Sequence, residues 1–271
     1  MRPTIGFLLT LLALAATGST AAQADASQGV ASTGSDLGKE QRWRAQIVDS
    51  LMDGDAVDLQ AGDVTFLGLY TAAEDDTGRG AVIVHGIGVH PNWPQVVYPL
   101  RTALPQHGWS TLSIQMPVLP NEASDADYGP LMDEVAPRLD AAIAYLHDQG
   151  AERVAIVAHS LGATMANDYL ATHPQAVAAF VAIGLSSGFE HAGRDNAELI
   201  GRVQVPTLDL FGQNDLDAVV FGASERAEAA SANSGYSQVQ APGANHFFDG
   251  QEKALVEIVA DWLNEAVPAS D

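Results

Sequence analysis

The stretch Arg153-Val154-Ala155-Ile156-Val157-Ala158-His159-Ser160-Leu161-Gly162-Ala163-Thr164-Met165 decides the fold. It opens with an apolar run rich in β-branched residues, passes through a turn of small residues carrying a serine, and continues with apolar residues at helical spacing. The order is strand, tight turn, helix. A serine at the tip of such a turn sits in a strained backbone conformation with its hydroxyl clear of the sheet, the arrangement called a nucleophile elbow. Strand and helix approach so closely that the positions two before and two after the serine must be small. Here they are Ala158 and Gly162. The usual pattern is G-x-S-x-G, so Ala158 departs from it by one methyl group, which the next smallest side chain accommodates.

The flanking chain repeats the same alternation. Ala56 to Leu59 and Val64 to Tyr70 read as two strands around an Ala61-Gly62-Asp63 turn. Ala81 to Val84 is a fully buried strand, followed by the loop His85 to Pro94 and a helix through Val97, Leu100 and Leu104. Trp109 to Ile114 is the next strand. A loop from Gln115 to Pro130 then carries Glu122, Asp125 and Asp127. The helix that ends at Gly150 shows Leu139, Ile143 and Leu146 on one face, with Pro137 comfortable only in its first turn. After the elbow, Ala178 to Leu185 and Val205 to Phe211 are strands, joined by a short polar connection at 186–203. Gly212-Gln213-Asn214-Asp215 is an exit turn, and a helix runs from Asp217 to Ala232 with Asp217 as its N-cap. Tyr236 to Gln240 is the last strand. Leu255, Ile258, Val259, Trp262 and Leu263 mark the closing helix. Alternating strands and helices call for a mostly parallel sheet covered on both faces.

Two further stretches join the elbow: Gly80-Ala81-Val82-Ile83-Val84-His85-Gly86-Ile87-Gly88 and Gly243-Ala244-Asn245-His246-Phe247. Together the three resemble the α/β-hydrolase superfamily. Within it, His85 to Pro94 and Pro99 to Pro117 resemble a group of secreted bacterial proteins of unassigned function. The resemblance covers residues 40 to 266. It implies the α/β-hydrolase fold with little or no cap domain, and a catalytic apparatus, but no substrate.

Residues 1–24 have a different character. Arg2 precedes an apolar run from Ile5 to Ala16, and small residues end in Ala22-Gln23-Ala24, so a secretory signal peptide cleaved after Ala24 is expected. Residues 25–38 are polar and small, a flexible linker, and 39–271 form one domain. Trp43, Ile47, Val48 and Leu51 form a short amphipathic helix that packs on its own domain; an enzyme is expected to keep its turnover without residues 25–52, whereas a scaffold would lose its partner. The composition, 47% hydrophobic and 17% charged, is that of a globular chain. It contains no cysteine, so disulfides and thiolate metal sites are excluded. Its formal net charge of −22 repels nucleic acid and anionic membrane surfaces. A periplasmic or secreted protein is expected.

Reactive groups in such sheets gather at the carboxyl ends of the strands. Ser160 is the candidate nucleophile. It needs a base, and by the resemblance His246, between the last strand and the last helix, is that base. Its imidazole needs a carboxylate, and Asp215 is preferred by position over Asp217. The order Ser160, Asp215, His246 is the chain order of this fold. An oxyanion hole would use the backbone N–H of Leu161 and, by the resemblance, of Ile87, with Gly88 as the alternative. Trp93, Gln115, Met116 and Leu119 line the substrate cleft or pack in the core. His85 and His159 lie near the site as supporting residues. Asp209, inside an apparently buried strand, has no assigned role. The histidine spacings suggest no metal site, and the chemistry requires no cofactor. The expected activity is a serine hydrolase of esters. A thioesterase, amidase or acyltransferase would use the same residues, and a non-catalytic binding or envelope scaffold protein would keep only the fold.

Overall fold

The computed structural model describes residues 34–187 and 192–269. The expected signal peptide and residues 25–33 of the expected linker lie outside the described residues. Among those described, the strands form one eight-stranded sheet in the order β1-β2-β4-β3-β5-β6-β7-β8. They are β1 (Asp55–Ala61), β2 (Val64–Thr71), β3 (Arg79–Val84), β4 (Ser110–Ile114), β5 (Arg153–His159), β6 (Ala179–Ile183), β7 (Thr207–Asn214) and β8 (Tyr236–Asn245). β1 is antiparallel to β2, and β2 to β4. From β4 to β8 every neighbouring pair is parallel. This is the α/β-hydrolase fold.

The helices are α1 (Leu37–Ser50), α2 (Val97–Ala103), α3 (Val135–Asp148), α4 (Leu161–Thr172), α5 (Asn196–Ile200), α6 (Asp217–Val220), α7 (Ala223–Ala229) and α8 (Glu252–Ala266). Strand alternation divides the core between the two faces of the sheet. Val82, Val84, Ile156 and Ala158 point to one face and pack with Leu139, Leu146, Met165 and Leu170 of α3 and α4. Ala81, Ile83, Ala155 and Val157 point to the other and pack with Leu100, Leu255, Val259 and Leu263 of α2 and α8. Central strands buried on both faces need the continuous apolar runs found in β3 and β5. No helix among the described residues is long and apolar enough to cross a membrane.

Several local expectations change. The helix expected over 217–232 breaks into α6, α7 and a 3-10 turn at Ala230–Ala232. The break falls at Gly222, where an added Cβ would lie 2.0 Å from Ser187 Oγ; only glycine lets the chain pass so close to the segment after β6. Asp217 is not an N-cap. Leu216 occupies that position in extended conformation, and Asp217 is already helical. A 3-10 run, Asp125–Glu134, replaces the second half of the loop expected after β4. β7 runs on to Asn214 and β8 to Asn245, through residues read as turn and loop.

The N-terminal boundary also moves. Asp36 caps α1 by accepting from Lys39 N–H at 2.9 Å, so the end of the expected linker belongs to the domain. Ile47 packs on Leu67 and Leu69, with Trp43 and Leu51 beside it, while Val48 is exposed. Glu40 is buried and meets buried Arg138 of α3 at 3.0 Å. Removing residues 25–52 would take away the closer of the two carboxylates on that buried guanidinium, leaving only Glu134 at 3.4 Å, so the deletion no longer separates an enzyme from a scaffold.

Candidate active site

Ser160 sits at φ 55° and ψ −123°, a conformation that a residue with a side chain adopts only when its surroundings impose it. Those surroundings are explicit. Its N–H bonds Ile183 O in β6 at 2.8 Å, and its carbonyl accepts from Ala163 and Thr164 N–H, which starts α4 at once. A Cβ at Gly162 would lie 2.3 Å from His85 O, so no larger residue fits two positions after the serine. Ala158 is fully buried between β3 and β6, and its methyl group is accommodated there.

His246 follows β8 directly, and an irregularity in that strand decides what it faces. Thr207 to Gly212 pair in step with Tyr236 to Ala241, but the next pair is Asn214 with Asn245. β8 therefore spends two more residues than β7 over this interval, a bulge at Pro242-Gly243. Gly243 takes a left-handed φ of 71° there, and its N–H bonds Gln213 Oε1 at 3.0 Å. Without the bulge, His246 would lie level with Asp217. With it, His246 lies level with Asp215.

His246 Nδ1 is 2.6 Å from Asp215 Oδ1, and His246 Nε2 is 3.0 Å from Ser160 Oγ. The carboxylate fixes the tautomer: Nδ1–H donates to Asp215, and Nε2 accepts from the Ser160 hydroxyl. The Asp215 side chain is fully buried and also accepts from Gly212 N–H at 3.1 Å and Leu216 N–H at 2.8 Å. Burial pushes its pKa up, but the hydrogen bonds and charge interaction with His246, joined by the two backbone donors, outweigh it and hold the carboxyl below its usual value. Asp217 is exposed and takes no part.

The structure adds Gly184 and Phe247, which pattern reading did not single out, and gives His159, expected only as a supporting residue, a definite contact. Gly184, at φ 63° just past β6, leaves room for the imidazole: a Cβ there would lie 2.8 Å from His246 Cε1. A glycine ending a buried strand was the only signal for it. His159 is buried against the site, its ring 4.8 Å from the His246 ring, and its Nε2 donates to His246 O at 2.9 Å. Burial, reinforced by the neighbouring His246, pushes its pKa down to about 3, so it is a neutral clamp on the His246 loop. Phe247 packs edge-on to His246 at 5.1 Å and stays partly exposed.

The loop after β3 runs beside the serine. A Cβ on Gly86 would lie 3.2 Å from Ser160 Cβ, and Ile87 is the next residue. Leu161 is the first residue of α4, where backbone N–H groups lack intrahelical partners. His85 is buried, with its pKa pushed down to about 3 by burial.

The residues named for the cleft divide. Gln115 and Met116 are each only 1% exposed and lie under the loop, so neither offers a ligand much surface. Gln115 instead bonds His85 Nε2 and Met116 O. Leu119 is buried in the same core, and Trp93 packs on the opposite one, with its Nε1 bonded to Gln95. Asp209 is accounted for by Arg226. The two are fully buried and paired at 2.7 Å, with Tyr236 O–H and Gln238 Nε2 each donating to the same carboxylate oxygen at 2.8 Å.

Solved structures share this fold. Dienelactone hydrolase from Anabaena variabilis is 24% identical, with a TM-score of 0.63 over 78% of this chain and 96% of its own. Est1E from Butyrivibrio proteoclasticus, solved with ferulic acid bound, is 13% identical, with a TM-score of 0.63 over 78% and 99%. XC6422 from Xanthomonas campestris, described as an α/β serine hydrolase without a lid, is 16% identical, with a TM-score of 0.59 over 81% and 98%. At these identities the likeness is one of fold. No curated protein matches the sequence. The sequence pattern of one family covers residues 4–127 and 120–265, and the chain therefore belongs to the family described as protein of unknown function DUF3530.

Proposed function

We propose that this protein is an exported serine hydrolase that cleaves an ester-type acyl bond through an acyl-enzyme. One observation carries the reading: the unbroken hydrogen-bonded line from Ser160 Oγ through His246 to Asp215, set on a strained elbow beside the carboxyl edge of the sheet. Ser160 Oγ attacks the acyl carbon while His246 Nε2 takes its proton. The carbonyl oxygen becomes an oxyanion, and backbone N–H groups of Leu161 and Ile87 are its donors. Collapse of the adduct breaks the bond to the leaving alkoxide, which departs as an alcohol with the proton from His246. Water then attacks the acyl-enzyme by the same route, releasing the acid and restoring Ser160. Asp215 keeps the imidazole oriented and stabilises its charged form.

Ester cleavage is the default among acyl transfers, and the fold neighbours include a dienelactone hydrolase, a lactone being an internal ester. The connection after β6 is too short for a large lid, and Ile87 and Phe247 expose apolar surface next to the nucleophile. Both features favour neutral esters with short acyl groups. Of the acidic residues after β4, Asp125 bonds Ala192 N–H and Asp127 closes a capping box with Ser124, so both have local duties. Export rests on the residues of 1–24 alone.

The test is covalent labelling. A fluorophosphonate probe should modify the purified protein, with the adduct mapping to Ser160 and absent from Ser160→Ala. A panel of nitrophenyl esters from acetate to palmitate should show kcat/KM highest at the short end. No adduct at Ser160 together with no ester turnover would remove the reading. A maximum at palmitate would remove only the acyl preference.

A further inference from the structure

The loop carrying Gly86 and Ile87 past Ser160 is tied to the loop after β4. His85 Nδ1 donates to Gly86 O at 2.9 Å, and its Nε2 accepts from Met116 N–H at 3.0 Å and Gln115 Nε2 at 3.1 Å. The Tyr128 hydroxyl accepts from Leu119 N–H at 3.1 Å, and the Gly88 backbone N–H acts on the same oxygen.

The loop after β4 is itself anchored from outside. Asp36 N–H donates to Val118 O at 2.7 Å, and Val118 N–H to Ser35 Oγ at 2.8 Å. Lys39 Nζ donates to Leu119 O at 2.7 Å, and Arg138 Nη1 to Gln115 O at 2.9 Å. Glu40 holds Arg138 through both carboxylate oxygens, each at 3.0 Å, and Ser35 Oγ hydrogen-bonds Glu40. Buried loop carbonyls need donors, and this loop draws several of them from the start of α1. A helix that merely covered β2 would need its apolar contacts with Leu67 and Leu69, and no buried charge. A buried ion pair adds little net stability but fixes the groups it touches, because breaking it leaves a charge without a partner.

We propose that Ser35 to Glu40, with Arg138, form a positioning element of the active site. They set the loop after β4 and, through Gln115 and His85, the Gly86–Ile87 backbone beside the reacting carbonyl oxygen. The kinetic consequence rests on the acyl-transfer reading; the structural consequence does not.

The experiment uses the full chain and the double variant Glu40→Leu with Arg138→Met, which removes both charges and keeps apolar volume in the core. Hydrogen exchange should quicken in peptides covering 85–90 and 115–120, while those covering 212–216 and 243–250 stay as in the parent. On a nitrophenyl ester, kcat should fall roughly tenfold, short of the 10²–10³ for deleting an oxyanion donor, with KM unchanged. Inhibition by an alkyl boronic acid, whose tetrahedral adduct mimics the charged intermediate, should weaken by the same factor. Gln115→Met keeps the ion pair and removes the Gln115 Nε2 bonds to His85 and to Met116 O while the Met116 N–H bond to His85 remains, and it should reproduce part of each change. Parent-like exchange at 85–90, a uniform rise across the domain, or a change in KM without kcat would overturn the proposal. If the double variant does not fold, Gln115→Met decides alone: unchanged exchange at 85–90 refutes the positioning role. If exchange responds as expected but the parent hydrolyses no ester, the hydrolase reading fails and the positioning role stands.

Discussion

Strand β7 carries one buried carboxylate in its middle and is followed by another at its end, and the fold uses them differently. Asp209 faces Arg226, with Tyr236 and Gln238 as further donors. That network is closed: it consists of a permanent cation, an anion and neutral donors, all held by packing. Asp215 faces His246, which faces the Ser160 hydroxyl. This second network ends in a hydroxyl that can give its proton to the imidazole. Burial of a carboxylate therefore says little about function. The partner decides, and an imidazole can take up and return a proton where a guanidinium cannot.

The sharpest way to break the comparison is at the open end. Ser160→Ala should lower turnover by about 10⁶, and His246→Ala by about as much, since the two act as a unit. Full activity in either would place the chemistry elsewhere. Next come the two carboxylates themselves. Asp215→Asn should depress kcat by roughly 10⁴ while leaving the unfolding midpoint close to the parent's. Asp209→Asn should do the reverse, costing about 3–5 kcal/mol of stability by stranding the Arg226 charge, with turnover per folded molecule unchanged. Urea unfolding beside active-site titration separates the two effects. If both variants lost turnover equally, the distinction between closed and open networks would collapse.

A smaller effect is set by acid. His85 and His159 have pKa values near 3 in the folded protein, well below the unfolded value of about 6.5. The unfolded chain binds more protons between those limits. Their contribution is complete above about pH 6.5 and is lost as pH falls toward 3. The lowered pKa of Asp215 acts in the same direction over a more acidic window, through its own folded value. The urea midpoint should fall between pH 7 and pH 4, and less steeply in His85→Gln, whose side chain stays neutral. A midpoint indifferent to pH would mean that these imidazoles are solvated. The smallest effect belongs to Asp217→Ala. The residue is exposed and caps nothing, so stability should move by less than about 0.5 kcal/mol and turnover not at all.

The elements were legible wherever periodicity is local. β3 and β5 announce themselves as uninterrupted apolar runs, and α8 by its stripe of Leu255, Val259 and Leu263. The short stretches that steer the chain around the site were harder. α6 and α7 share one apolar pattern, and the break between them depends on Gly222 meeting Ser187, a residue far away in the chain. The buried placing of Glu40 and Arg138 was hidden for a similar reason. Each lies on the apolar stripe of its helix, Glu40 in line with Trp43 and Ile47 and Arg138 with Val135 and Ala142, but neither helix alone supplies a charged side chain with a partner, and only their meeting across two helices makes burial tolerable. The same holds for Gln115, a polar residue after a strand that turned inward to bond His85.

What the sequence by itself determined is the alternation of strand and helix, the elbow around Ser160 and the chain order of serine, carboxylate and histidine. The first two follow from spacings within one turn, one strand or one loop, and the third from the resemblance to the α/β-hydrolase superfamily. Only the tertiary structure decided that Asp215 rather than Asp217 meets His246. The choice hangs on two extra residues of β8 at Pro242-Gly243, which shift one strand against its neighbour. Register between strands is set by the packing and hydrogen bonding of both at once, and neither strand's sequence contains it alone.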